Sequence, residues 1–341
     1  MISYDKKING LFYYWLLLSF LLIFFMVIVG GLTRLTDSGL SITEWELFKG
    51  IFPPLQQNTW NEYFASYKQT TQFEQINFNM SLEQFKVIFY WEYFHRILGR
   101  LIGIFFLVPL IYFYFKSTVN KKYIHVCFLI FSLILLQGII GWYMVESGLV
   151  NNITVSHYRL SAHLTLAFII IAILFWIILN FKDENHKKFF NNKKMNYSFY
   201  LLFILIFVQI ILGAFVSGLD AGKIYQTWPL MNYYYFPDDI RISSFNDLLD
   251  FDNHGLVQFY HRNIAYLIVL YLCVLGFIIF KNNFKKLYKP FYIVTFFLLL
   301  QIFLGIITLI SNLNLYLAST HQICGLLLML SVINLYYNQL K

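Results

Sequence analysis

Four histidines share a setting that suggests ligation. His95, His163, His261 and His321 each fall inside a long apolar run, near one of its ends. The first sits in WEYFHRILGR (91–100), which also carries Glu92, Arg96 and Arg100; a second version, QFYHRNIAYL, occupies 258–267. Ionisable groups in a membrane-length segment are costly and usually functional. A lone helical histidine is most often a hydrogen-bonded core residue, but four at matched positions ask for a common reason. Two imidazoles facing each other across a helical bundle can supply both axial ligands of a haem iron. Zinc would want three or four nitrogen or sulfur ligands close together, and two histidines per half do not provide them.

The arginines fit the same chemistry. Six are present, Arg34, Arg96, Arg100, Arg159, Arg241 and Arg262, against 19 lysines. All six lie on one predicted side of the membrane, where topology disfavours cations. Interfacial snorkelling accounts for such residues; planar forks waiting for carboxylates account for the preference for arginine over lysine. Haem propionates are such carboxylates, which makes Arg34, Arg96, Arg100, Arg159 and Arg262 propionate-binding candidates. Glu92 stands three residues before His95, whereas Gln258 takes the equivalent place before His261. Glutamine keeps the shape but cannot exchange a proton, so acid/base chemistry is expected at Glu92 and electron transfer alone in the other half. An interfacial Glu92–Arg96 ion pair is the structural alternative.

These side chains need helices to hold them. Hydrophobic residues make up 59% of the 341-residue chain and charged residues 12%, with a mean hydropathy of +0.62, which excludes an ordinary soluble domain. Eight segments reach the roughly 20 residues that cross a bilayer, near 11–32, 90–115, 123–144, 157–180, 196–218, 257–280, 289–310 and 315–338. The first is too long to be a cleaved signal peptide. Fifteen of the 19 lysines fall at the termini or after the even-numbered spans, with three acids among them, leaving +12 there and −4 on the opposite side. Both termini are therefore expected in the cytoplasm. The basic balance reflects topology and anionic lipid, and no nucleic-acid partner is expected. Cys127, Cys273 and Cys324 all lie in predicted helices and form no disulfide framework; Cys324, one turn after His321, could face the same site.

The chain also repeats itself. GGLTRLTDSGLSITEW (30–45) aligns with GAFVSGLDAGKIYQTW (213–228) at a constant offset of 183, pairing Gly30 with Gly213, Asp37 with Asp220 and Trp45 with Trp228. EYFHR matches QFYHR, LLQGIIG (135–141) resembles LLQIFLG (299–305), and SAH (161–163) matches STH (319–321). Four spans per copy give a parallel repeat. The expected fold is an all-α membrane protein of eight transmembrane helices in two pseudo-symmetric four-helix bundles, residues 1–185 and 186–341. The four aligned histidines are expected roughly six residues, about 9 Å, inside the outer helix ends. His125 and His186 are expected to be solvated at the inner surface; His157 and His254 are placed at outer helix ends or in a loop. The outer loop 33–90 and the acidic loop 219–256 (Asp238, Asp239, Asp247, Asp250, Asp252) are long enough to be functional, and short interfacial helices are expected in them.

The first of these motifs, followed by GIFPPL (50–55), WEYFHRILGR, HYRLSAH (157–163), the His-Arg of span 6 and the Thr-His of span 8, resembles the haem A synthase family of CtaA type over residues 11–338. The resemblance implies oxidation of the C8 methyl of haem O to a formyl group, giving haem A for cytochrome oxidase. It implies haem b held by His261 and His321, substrate haem O held by His95 and His163, and Glu92 as the acid required for turnover. With no outer-loop cysteine pairs, the chain is similar to the proteobacterial and mitochondrial branch. A bacterial inner membrane with haem sites near the periplasmic side is expected. Haem O synthase and an electron acceptor are the implied partners, and a homo-oligomer is left open. A b-type electron-transfer cytochrome would use the four histidines equally well but leaves the Glu92/Gln258 difference without a purpose. A haem transporter would call for helix breaks at mid-membrane, whereas the glycines cluster near helix ends.

Overall fold

Hydrocarbon offers no partner to a backbone amide, so long apolar runs in lipid close their hydrogen bonds internally as helices. In the computed structural model, which describes residues 6–45, 49–117, 119–149, 153–183, 187–190, 194–238 and 240–340, ten α-helices form. They are α1 (Lys6–Leu35), α2 (Gln57–Tyr67), α3 (Thr71–Gln75), α4 (Leu82–Lys116), α5 (Lys121–Leu149), α6 (His157–Lys182), α7 (Lys194–Gly218), α8 (His254–Lys281), α9 (Lys285–Ile310) and α10 (Leu315–Gln339). All but α2 and α3 are long and apolar enough to cross a membrane. The described residues contain no β-strand, only one isolated bridge between Met231 and Tyr234. His186 and Asp239 lie outside the described residues.

The chain forms two compact units, residues 1–174 and 175–341. The division falls before the expected 185/186 boundary. The last turns of α6 carry Trp176, whose ring stacks on Tyr336 at 5.8 Å and meets Phe189 edge-on at 5.0 Å. Around that cluster, Tyr200 and Tyr336 share a hydroxyl hydrogen bond of 2.9 Å, and Lys187 lies 3.6 Å above the Tyr337 ring. In the first unit α4 packs against α1 and α5; in the second, α8 packs against α7 and α9, and α10 against α9 and α7.

Side-chain caps set several helix starts. Ser81 and Gln84 form a reciprocal capping box at α4, with bonds of 3.3 and 2.9 Å. Asn253 caps α8 through Leu256 N at 3.0 Å. The α1 and α7 ends share a left-handed residue, Asp37 (φ 51°) and Asp220 (φ 53°), a conformation aspartate tolerates better than most residues.

The capping box moves the start of α4 eight residues ahead of the expected position, because LEQFKVIF is too polar for a hydropathy reading yet is a good amphipathic helix. This extension supports the long connection between α1 and α4. Trp60, Phe64 and Tyr67 of α2 pack on Phe85, Ile88 and Phe89 of α4, over Ile42, with Phe64 stacked on Phe85 at 5.1 Å. The Tyr67 hydroxyl donates to Gln72 Oε1 at 2.9 Å and accepts from Asn77 Nδ2 at 2.7 Å. Gln72 Nε2 in turn donates to the Asp37 carbonyl at 3.1 Å. Burial, the largest influence, pushes the Tyr67 hydroxyl pKa above its ordinary value of 10.0. The folded state then holds this proton more tightly than the unfolded chain, so its contribution is complete below pH 10 and lost above it. Tyr67→Phe is expected to lower stability at neutral pH by about 1 kcal/mol and to flatten the alkaline limb of the Tm-versus-pH curve. An unchanged alkaline limb would dissociate Tyr67 from it.

Candidate functional site

Each of the four histidines meets a glycine on the preceding membrane-length helix. An ideal Cβ built on Gly30 (α1) would stand 3.4 Å from His95 Cε1, and one on Gly141 (α5) 2.9 Å from His163 Cε1. In the second unit, a Cβ on Gly213 (α7) would be 3.1 Å from His261 Cε1, and one on Gly305 (α9) 2.9 Å from His321 Cε1. The missing side chains let each ring lie against a neighbouring backbone, which fixes the ring's tilt. These glycines are the ones that the repeat aligns, Gly30 with Gly213 and Gly141 with Gly305. The sequence displayed the pairs; only the helix register reveals what they touch.

The rings come in pairs. His95 and His163 lie within electrostatic reach of each other, as do His261 and His321. All four are half-buried, and Nδ1 of His163, His261 and His321 is buried without a hydrogen-bond partner. His163, His261 and His321 lie six or seven residues into their helices. His95 does not: α4 begins at Leu82, so His95 is thirteen residues in, about 20 Å from the helix start. The correction follows from the unexpected extension of α4.

The two pairs have different neighbours. Gln209 Nε2 is 3.3 Å from His261 Nε2, and Gln301 Nε2 is 3.3 Å from His321 Nε2. Gln137, aligned with Gln301, instead donates to the His163 carbonyl at 3.0 Å, and Met26 stands where the repeat puts Gln209. Among the described residues no three His, Cys, Asp or Glu side chains gather as a bare ion would need. Two buried-edged imidazoles per half, each cradled by a glycine, fit a haem, whose macrocycle fills the other coordination positions.

Glu92 is 3% exposed and accepts four hydrogen bonds. Ser41 Oγ donates to Oε2 at 2.7 Å and Ile42 N at 2.9 Å; Arg96 Nε and Nη2 donate to Oε1 at 3.0 and 2.6 Å. Arg96 Nη2 also reaches the Ile42 carbonyl at 3.1 Å, and the guanidinium lies 5.1 Å from the Trp45 ring centroid. The ion pair set beside acid/base chemistry in the sequence therefore forms. In the second unit Arg262 Nη2 donates to the Tyr225 carbonyl at 2.9 Å, and Tyr225 aligns with Ile42. Gln258 Nε2 donates to that same carbonyl at 3.0 Å, and Ile224 replaces Ser41. The first unit is thus built to hold a carboxylate where the second holds an amide.

The arginines expected to hold propionates have protein partners. Arg34 bonds Asp37 at 2.7 Å, Arg100 bonds the Gly50 carbonyl at 2.9 Å, and Arg262 also bonds the Leu230 carbonyl at 3.2 Å. Arg159 bonds Ser147 Oγ and stacks 4.8 Å from the Tyr143 ring centroid. Arg241 is exposed. Cys324 is buried, with Sγ directed to the Phe297 carbonyl at 3.6 Å.

Known proteins are similar to this chain along nearly its whole length. Residues 13–333 match the COX15-CtaA family, described as cytochrome oxidase assembly protein. The Heme A synthase of Pelagibacter ubique is 51% identical over 330 residues, covering 95% of each chain. That of Nitrosospira multiformis is 43% identical, covering 92% of this chain and 89% of its own, and that of Rickettsia felis 41%, covering 95% and 96%. With both histidine pairs and the Glu92 pocket inside the matched region, the chain belongs to the COX15-CtaA family.

Proposed function

We propose that this protein oxidises the C8 methyl group of haem O to a formyl group, giving haem A. The observation that carries the reading is the asymmetry of two otherwise matching histidine pairs. Only the first has a buried carboxylate one turn before its leading histidine. The relatives named Heme A synthase support it at up to 51% identity.

His95 and His163 would hold the substrate haem O, and His261 and His321 a resident haem b. When bound, haem b supplies a one-electron redox centre that carries electrons away. Converting methyl to formyl, with water supplying the oxygen, releases four electrons to the acceptor and about four protons: hydroxylation to an alcohol and then to a gem-diol takes up two waters, and the gem-diol returns one. Glu92 is the group placed to handle those protons: Ser41 and Ile42 N fix one carboxylate oxygen, and Arg96 fixes the other. Gly30 and Gly141 orient the substrate's imidazoles, and Gly213 and Gly305 those of the cofactor. Arg34, Arg96, Arg100, Arg159 and Arg262 remain the propionate candidates, each guanidinium offering the planar fork that matches a carboxylate. The reading places the protein in a bacterial inner membrane, with both sites toward the periplasm. It makes haem O synthase and an electron acceptor the partners.

Pigment extraction tests this. The purified protein is expected to yield haem B together with haem O or haem A, and His261→Ala to lose the haem B fraction. Haem B alone from the unsubstituted protein would make it an electron-transfer cytochrome instead.

A further inference from the structure

The loop between α1 and α2 contains an apolar projection that the haem chemistry does not use. In GIFPPLQQ (50–57) there is no charged residue. Ile51 is 43% exposed, Phe52 79% and Leu55 88%, while Pro54 is buried and stiffens the segment. Three large apolar side chains presented together on a rigid turn are a poor match for water.

Two bonds fix where the projection sits. Arg100 Nη1 donates to the Gly50 carbonyl, and the Tyr93 hydroxyl donates to the Ile51 carbonyl. Tyr93 and Arg100 are seven residues apart on one face of α4, a membrane-crossing helix whose far end is Lys116. Arg100 lies sixteen residues before Lys116, about 24 Å along the axis, inside a hydrocarbon slab about 30 Å thick. Tyr93 lies about 35 Å from the same end. The segment is therefore strapped to α4 across the outer edge of the slab. Next to that face, Phe94, Leu101 and Ile104 are 44, 56 and 61% exposed, the surface a lipid-facing helix shows. The Arg100 guanidinium reaching back to Gly50 gives the charge a partner at the boundary.

We propose that residues 50–55 form a wedge that inserts Phe52 and Leu55 into the bilayer leaflet at the His95 end. The occupant of this apolar face is the acyl-chain region of phospholipid. The wedge follows, a few residues on, the stretch whose carbonyls at Ile42 and Glu44 bond Arg96, so lipid contact and the Glu92 pocket belong to one loop of the chain. The proposal does not depend on the haem assignment.

The test uses the full-length protein in nanodiscs of phosphatidylcholine and phosphatidylglycerol that contain a phosphatidylcholine with a diazirine in its acyl chain. After photolysis, lipid adducts are expected on the peptide carrying Phe52 and Leu55. Absence of adducts there, with adducts present on the exposed faces of the long helices, overturns the proposal. A membrane-impermeant maleimide then identifies what covers the wedge. Because the hydrated thiolate is the reacting form, Phe52→Cys in lipid should react about tenfold more slowly than Tyr233→Cys, Tyr233 being 87% exposed in another outer loop. No adducts and fast reaction would mean water; no adducts and slow reaction would mean a second copy of the chain.

Discussion

Gly305→Val is expected to reduce the haem bound in the second unit to about a tenth, with haem in the first unit retained. A Cβ at this position would stand 2.9 Å from His321 Cε1 and 3.4 Å from Nδ1, closer than a side-chain carbon tolerates. The ring is also tied to the same helix one turn earlier, where the Gln301 amide stands 3.3 Å from His321 Nε2, so moving away from a new side chain would break that contact. Helix propensity works the other way, since replacing glycine inside a helix gains up to about 1 kcal/mol. Overpacking costs about 1–3 kcal/mol, and valine's extra methyls put this site at the upper end. The misfit falls on the ligand geometry, and 1.4 kcal/mol of lost affinity is about tenfold. The four glycines then predict a graded series. Gly30→Ala meets only ordinary contact at 3.4 Å, Gly213→Ala a tight 3.1 Å, and Gly141 and Gly305 admit no Cβ without movement. Reduced-minus-oxidised spectra of the purified variants read the outcome. Full haem content in Gly305→Val would remove the glycines from the ligand machinery.

How much of this was legible beforehand depended on the range of the interaction. The long helices were, because an apolar run of that length in lipid has one way to satisfy its backbone. The start of α4 was not, since residues 82–89 owe their helix to the Ser81–Gln84 box and to packing under α2 rather than to hydropathy. That miss displaced His95 by two turns. The histidines and glycines stood out through the repeat, but a glycine's purpose depends on which side chain an adjacent helix turns toward it. The arginines show the same limit. Their number on one side was visible, yet the loop carbonyls at Gly50, Tyr225 and Leu230 lie far from them in sequence, and no local pattern announces the return of the chain.

Glu92→Gln is expected to lower haem A formation by about a hundredfold, the scale of a lost positioned proton-transfer group, while haem b content stays normal. Glutamine matches the shape of glutamate, so the loss must come from charge and from bond direction. All four hydrogen bonds to Glu92 are donated to it. An amide turned with its oxygen toward Arg96 faces the Ile42 N–H with another donor; turned the other way, it faces the guanidinium. Gln258 escapes this conflict because its Nε2 donates to the Tyr225 carbonyl and Ile224 stands in place of the Ser41 hydroxyl, whereas Glu92 Oε2 is held by two donors, Ser41 Oγ and Ile42 N. Removing one member of a buried ion pair costs about 3–5 kcal/mol, so a fall in Tm is expected as well, and a purely structural role would also lower activity. Arg96→Gln added to Glu92→Gln separates the two causes. The double variant relieves the stranded guanidinium and should recover much of the Tm. If Glu92 serves only to balance the buried Arg96 charge, haem A formation recovers with it; if Glu92 handles protons, the double variant stays as inactive as the single one. Wild-type haem A yield from Glu92→Gln alone would show that the reaction runs without this carboxylate.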